Sequence, residues 1–100
     1  MDKNWRQRVD PSFQKMLPEF EQNLRKDSMR LQTLLDQNEL RTLERLAHSY
    51  KGSSGYFDLT ELRELARTLE EHCQSSDKTA AALTIKAWLA LLEKLEIGKE

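Results

Sequence analysis

Residues 40–57 read LRTLERLAHSYKGSSGYF, and this stretch decides the fold. Wound as an α-helix, it gathers Leu40, Leu43, Ala47 and Tyr50 on one face, with Leu46 at its margin and Phe57 as an extension. Such spacing has no meaning for a strand. The rest of the chain agrees. Glycines number three and prolines two, Val, Ile and Thr are sparse, and no run alternates apolar with polar. The chain reads as all-α.

Before this helix, Asp10-Pro11 is a helix start, an acceptor to cap and a proline suited to the first helical position. Phe13, Leu17, Phe20, Leu24, Leu31 and Leu35 follow at roughly helical spacing. Pro18 falls inside that pattern and is expected to kink the helix or split off a short first piece. Asp36-Gln37-Asn38 connects onward, with Asn38 as an N-cap. The second helix is expected to end at about Ser53–Gly55, where Gly55 could supply a left-handed residue. Asp58-x-x-Glu61 resembles a capping box opening a third helix, whose stripe is Leu59, Leu62, Leu65, Ala66, Leu69 and Cys73. After Ser75-Ser76-Asp77, a fourth helix turns Ala81, Ile85, Trp88, Leu92 and Leu95 inward. Leu83, Leu89 and Leu91 exceed what one face needs. They are expected to pack against the N-terminal segment through Trp5, with self-association as the other option. Gly98-Lys99-Glu100 reads as a frayed tail.

Short connections between amphipathic helices give the expected architecture: an antiparallel up-down four-helix bundle with a short extra N-terminal segment or a kinked first helix. Residues 1–100 form a single domain, with an N-terminal segment at 1–10 and the bundle at about 11–97.

Composition narrows the function classes. Hydrophobic residues make up 38% and charged residues 33%, with a formal net charge of −1. This is a folded, near-neutral domain without the basic stripe that nucleic acid demands. Cys73 is the single cysteine, so neither an internal disulfide nor a cysteine-based metal cage can form. The polar N-terminus lacks the apolar core of a signal peptide, and no stretch reaches the ~20 apolar residues of a membrane span. A cytoplasmic protein with a protein partner is expected.

His48 is rotated about 100° from Ala47, toward the polar side of its helix. Lys51 and Gly52 lie one turn further on the same face. The sequence thereby offers an imidazole to solvent with a cation on one side and open space on the other, which suits a histidine carrying a phosphoryl group. Blander readings stand beside this one: a solvating surface histidine, a surface lysine, and a glycine that ends a helix rather than making room. Gly52 costs about 1 kcal/mol against alanine in a helix, so one of those reasons must apply. His72, the other histidine, lies beside an apolar stripe without a lysine–glycine pair and reads as structural or surface.

Residues 46–70, LAHSYKGSSGYFDLTELRELARTLE, resemble the signature of histidine phosphotransfer (HPt) domains, the phosphocarriers of multistep two-component relays. Residues 10–35, including the internal proline, resemble the first long helix of that family, and the fourth helix matches in character. The resemblance implies that His48 is the phosphoacceptor and that Lys51 neutralises the phosphoryl oxygens. It makes Gly52 the clearance for an approaching receiver domain. It also brings in Glu70, which spacing alone would leave as a solvated surface carboxylate. At that position family members hold the imidazole through Nδ1, leaving Nε2 as nucleophile. Asp58 departs from the pattern, standing where many members have glycine, so the loop and its receiver preference are open to change.

The function so implied is a carrier that accepts a phosphoryl group from a receiver-domain aspartate and passes it to another receiver. Response-regulator receivers and a hybrid sensor histidine kinase are the expected partners, and the chain is expected to act as a monomer. No nucleotide-binding glycine loop is present, so no autokinase activity is expected. No cofactor is expected on this chain; Mg²⁺ would come with the receiver. Arg41, Glu44, Arg45 and Ser49 share the His48 face, and Gly55 and Tyr56 follow the turn; together they are the expected docking surface. Two rivals remain: the phosphoacceptor domain of a chemotaxis-type histidine kinase, which shares the H-x-x-K-G run, and a helical adaptor with an incidental histidine.

Overall fold

The computed structural model describes residues 4–98; Lys99 and Glu100, read above as part of a frayed tail, lie outside them. The described residues contain no strand. Five helical segments follow one another: α1 (Leu17–Ser28), α2 (Leu31–Asp36), α3 (Leu40–Ser53), α4 (Thr60–Gln74) and α5 (Lys78–Lys94). The pair α1 and α2 forms one interrupted rod, so the bundle has four. α3 packs on α4, α4 on α5, and α2 on both α3 and α5, which closes the ring. The body measures 38 × 24 × 20 Å.

Pro18 does not kink a helix. It sits in the first turn of α1, where its missing N–H would have had no intrahelical partner anyway. The preceding piece, Pro11–Met16, winds as a separate 3-10 helix capped by Asp10, whose Oδ1 accepts from the Ser12 N–H at 2.8 Å. The real interruption lies at Met29-Arg30, where no glycine or proline announces it. Asp27 and Ser28, at the end of α1, are fastened to the other rods: the Tyr50 hydroxyl donates to Asp27 at 2.6 Å, and Trp88 Nε1 donates to Ser28 Oγ at 2.9 Å.

α3 ends at Ser53, as expected, but the residues that form the helix stops and caps differ from expectation. Asn38 is not an N-cap, and Gly55 is not left-handed. Among the described residues the non-glycine positions with left-handed backbone are Asn38, Asp58, Ser76 and Glu96, all with φ between 56 and 58°. Each stop repeats one hydrogen-bond pattern. After α2, Asn38 N–H donates to Leu35 O and Glu39 N–H to Leu34 O; after α4, Ser76 donates to Cys73 and Asp77 to His72. Asp58 and Leu59 do the same onto Gly55 and Ser54, and Glu96 and Ile97 onto Glu93 and Leu92. These are Schellman closures, which satisfy carbonyls that a helix end leaves orphaned. Asp58 is therefore spent on the turn and makes no capping box; Leu59 takes the N-cap position without a side-chain bond. By contrast, Asp77 does cap α5, accepting from Ala80 N–H at 3.1 Å.

The core follows the sequence stripes: Leu43, Ala47 and Tyr50 from α3, Leu62, Ala66, Leu69 and Cys73 from α4, and Ala81, Ile85, Trp88 and Leu92 from α5 are buried. Phe20 stacks on Phe57 with centroids 4.1 Å apart, and Tyr50 meets Trp88 edge-on at 5.9 Å. Trp5 is buried as well, but it leaves two of the three surplus leucines of α5, Leu83 and Leu89, uncovered. Its Nε1 donates to Leu95 O at 3.1 Å, at the far end of that helix. Leu91 is buried, whereas Leu83 and Leu89 stand 67% and 40% exposed, because they lie on the side of α5 turned away from the other rods.

Candidate functional site

α3 carries its apolar stripe into the bundle and thereby turns His48 outward. The imidazole is 67% exposed. Across the α3–α4 interface, Ala47 and Ala66 are fully buried and small, and Glu70 follows one turn after Ala66. Its side chain is only 11% exposed, and both carboxylate oxygens are bonded: Oε2 to His48 Nδ1 at 2.7 Å and Oε1 to Lys51 Nζ at 2.8 Å. The hydrogen bond from Lys51 holds the Glu70 carboxyl below its ordinary range; burial opposes this, and the bond from His48 assists. An ionised carboxylate at Nδ1 requires that nitrogen to carry the proton. Nε2 is then the nitrogen with a free lone pair, and it has no protein partner among the described residues.

The structure thus brings His48, Lys51 and Glu70 into one cluster. It also places Lys51 differently from expectation: its ammonium rests on Glu70. Gly52 lies on the exposed side of α3, and a Cβ built there would meet nothing within 4 Å. Nothing in this chain's own packing requires a glycine at 52, and the same holds at Gly55.

Around this cluster the expected surface residues separate into two regions. Arg41, Glu44 and Arg45 line a groove of about 430 Å³ together with His48 and Glu70; Ser49 is exposed beside it. Tyr56 instead belongs to an apolar cleft of about 310 Å³ with Phe13, Met16, Phe20 and Phe57 among its walls. Its ring packs on Phe13 at 5.2 Å but stays 59% exposed, and Met16 is 49% exposed. Sequence reasoning missed Met16, because the 3-10 winding of Pro11–Met16 departs from the helical periodicity used to sort inside from outside. Cys73 is buried in the core, and burial pushes its thiol up to about 11, away from the thiolate form.

A four-helix bundle that presents one exposed imidazole, steadied from a neighbouring helix by a carboxylate, defines a class of small histidine-presenting helical domains. The family model for the Hpt domain matches residues 15–98, and the chain belongs to that family. As such it is a histidine phosphotransfer domain of phosphorelay signalling. Its class of partner is the receiver domain of two-component systems, and Hpt domains are phosphocarriers without a catalytic ATP-binding region. No curated protein and no solved structure matches the chain. No helix among the described residues is long and apolar enough to cross a membrane.

Proposed function

We propose that His48 takes a phosphoryl group from the aspartyl-phosphate of one receiver domain and yields it to the aspartate of another. The observation that carries this reading is the 2.7 Å contact between Glu70 Oε2 and Nδ1 of an imidazole that is otherwise open to solvent. Orientation and a fixed tautomer are what such a nucleophile needs, since phosphoryl transfer depends on positioning and charge compensation. Nε2 attacks phosphorus in line as the bond to the receiver's carboxylate oxygen breaks. The Nδ1 proton stays on the ring, where the Glu70 carboxylate balances the positive charge the ring acquires.

Lys51 supplies positive charge beside the reacting group while bonded to Glu70. Gly52 leaves clearance for the receiver, whose acidic pocket would hold the Mg²⁺ and supply the charge compensation this chain lacks. The docking surface combines the charged groove at Arg41, Glu44, Arg45 and Ser49 with the apolar rim at Gly55, Tyr56 and Met16. The apolar part supplies contact area that loses water on docking, and the charged part supplies polar contacts, both of which protein interfaces contain. The donor is the receiver of a hybrid sensor kinase, and the chain acts as a cytoplasmic monomer.

Incubation with a phosphorylated receiver tests this directly. Wild-type chain is expected to gain an acid-labile, alkali-stable label, and His48→Gln to gain none. Label retained by His48→Gln, or absent from the wild type, contradicts the reading.

A further inference from the structure

The arriving phosphoryl group brings two negative charges to a face whose expected cation, Lys51, is already held at 2.8 Å by Glu70. Held there, Lys51 can turn its remaining N–H donors toward the phosphoryl oxygens, but one ammonium shared with a carboxylate offsets only part of that charge. A second cation would offset the rest.

Arg45 meets the requirement. It precedes His48 by three residues, so the two side chains are neighbours on one helix face, with Cβ atoms about 5–6 Å apart. Side chains on a helix tilt toward its N-terminus. The imidazole therefore leans over the turn that carries Arg45. The groove beside His48 is walled by Arg41, Glu44, Arg45 and Glu70, and Lys51 is not part of that wall. Arg45 is exposed, and it makes no hydrogen bond or ion pair among the described residues. Glu44, the other acidic group in the groove, accepts from Gln74 Nε2 at 3.0 Å. Arg41 lies two turns from His48, about 10 Å along the axis, which leaves Arg45 as the nearer guanidinium. A guanidinium also offers paired N–H donors matched to phosphoryl oxygens.

We propose that Arg45 binds the phosphoryl oxygens on His48 Nε2 while Lys51 remains on Glu70, making Arg45 a catalytic residue of the transfer. The proposal rests on the phosphocarrier reading above. In the step it assists, the N–P bond at Nε2 forms as the P–O bond to the donor carboxylate breaks. The donor leaves as a free carboxylate, and the phosphoryl group keeps its two negative charges, facing Arg45.

Phosphoramidate, a small phosphoryl donor, tests the contact without any receiver present. The phosphorylated wild type, Arg45→Gln, Arg45→Lys and Lys51→Gln chains are compared by the pH dependence of the ³¹P resonance. Loss of a cation touching the phosphoryl group should raise its second ionisation by about one pH unit. Arg45→Gln is expected to show that shift, Arg45→Lys to recover part of it, and Lys51→Gln to shift less than Arg45→Gln. An unchanged titration in Arg45→Gln overturns the proposal even if transfer from a receiver slows, since Arg45 would then touch the partner only. A wild type that takes no label from either phosphoramidate or a phosphorylated receiver would remove the carrier reading, and this proposal with it.

Discussion

Glu70 decides what His48 can do. A single carboxylate fixes the imidazole and holds the lysine, so its charge is worth more to the site than its volume. Because the folded protein lowers the Glu70 ionisation, the charged contacts stabilise the fold above the ordinary carboxylate range and are lost as pH falls through the lowered value. Thermal unfolding of wild type and Glu70→Gln should therefore differ at pH 7, and the gap should close as pH drops below about 4. A gap that persists unchanged in acid would show that packing, not charge, accounts for the position. Gly52 makes the opposite kind of prediction. With open space around it, Gly52→Ala should raise stability by up to about 1 kcal/mol, while Gly52→Gln should fold nearly intact yet slow transfer sharply. Equal losses of stability and transfer in Gly52→Gln would place its role in the fold. The His48, Lys51 and Gly52 grouping was legible from helical spacing because it is local. Glu70 lies on another helix, and only family resemblance pointed to it. The Lys51–Glu70 bond was not legible at all, since it depends on how α3 and α4 register against each other.

At the scale of elements, helix existence and rough extent were readable, and the residues that form the stops were not. Apolar stripes at 3.6-residue spacing marked α3, α4 and α5, because burial of one face dominates their energetics. The residues that close α2, the turn after α3, α4 and α5 are Asn38, Asp58, Ser76 and Glu96, none of them the glycine that left-handed geometry favours. Short polar side chains tolerate that region better than branched ones. At the loop behind the site, Asp58→Val should accordingly cost about 1–2 kcal/mol in chemical denaturation, while Asp58→Gly should cost nothing. A similar loss in both variants would mean that the aspartate side chain, rather than the backbone angle, holds the turn. The interruption between α1 and α2 is tied to α3 by the Tyr50 hydroxyl on Asp27. Burial pushes the Tyr50 phenol up, so it remains a donor throughout the working pH range. Tyr50→Phe should lose about 1 kcal/mol without changing labelling of His48.

In the whole molecule, the N-terminal segment closes the fold onto the end of α5. Trp5 is buried against Leu95, and Arg6 forms a two-pronged pair with Glu21 at 2.9 and 2.6 Å while reaching Glu96 O at 3.2 Å. Trp5→Ala should cost about 3–5 kcal/mol of stability and leave the labelling reaction of the remaining folded protein unaltered. The surplus of leucines in the last helix pointed to Trp5 as its partner but not to Leu95 as the point of contact, because a tryptophan in a short polar segment carries no periodic signal. It also could not show that Leu83 and Leu89 stay outside. The central claim concerns atoms at the other end of the scale: Glu70 holds Nδ1, so the phosphoryl group must go to Nε2. Long-range ¹H–¹⁵N spectra of the phosphorylated chain distinguish the two isomers. The geometry predicts phosphorus on Nε2 of His48 with the proton retained on Nδ1; phosphorus on Nδ1, or on any residue other than His48, would contradict it.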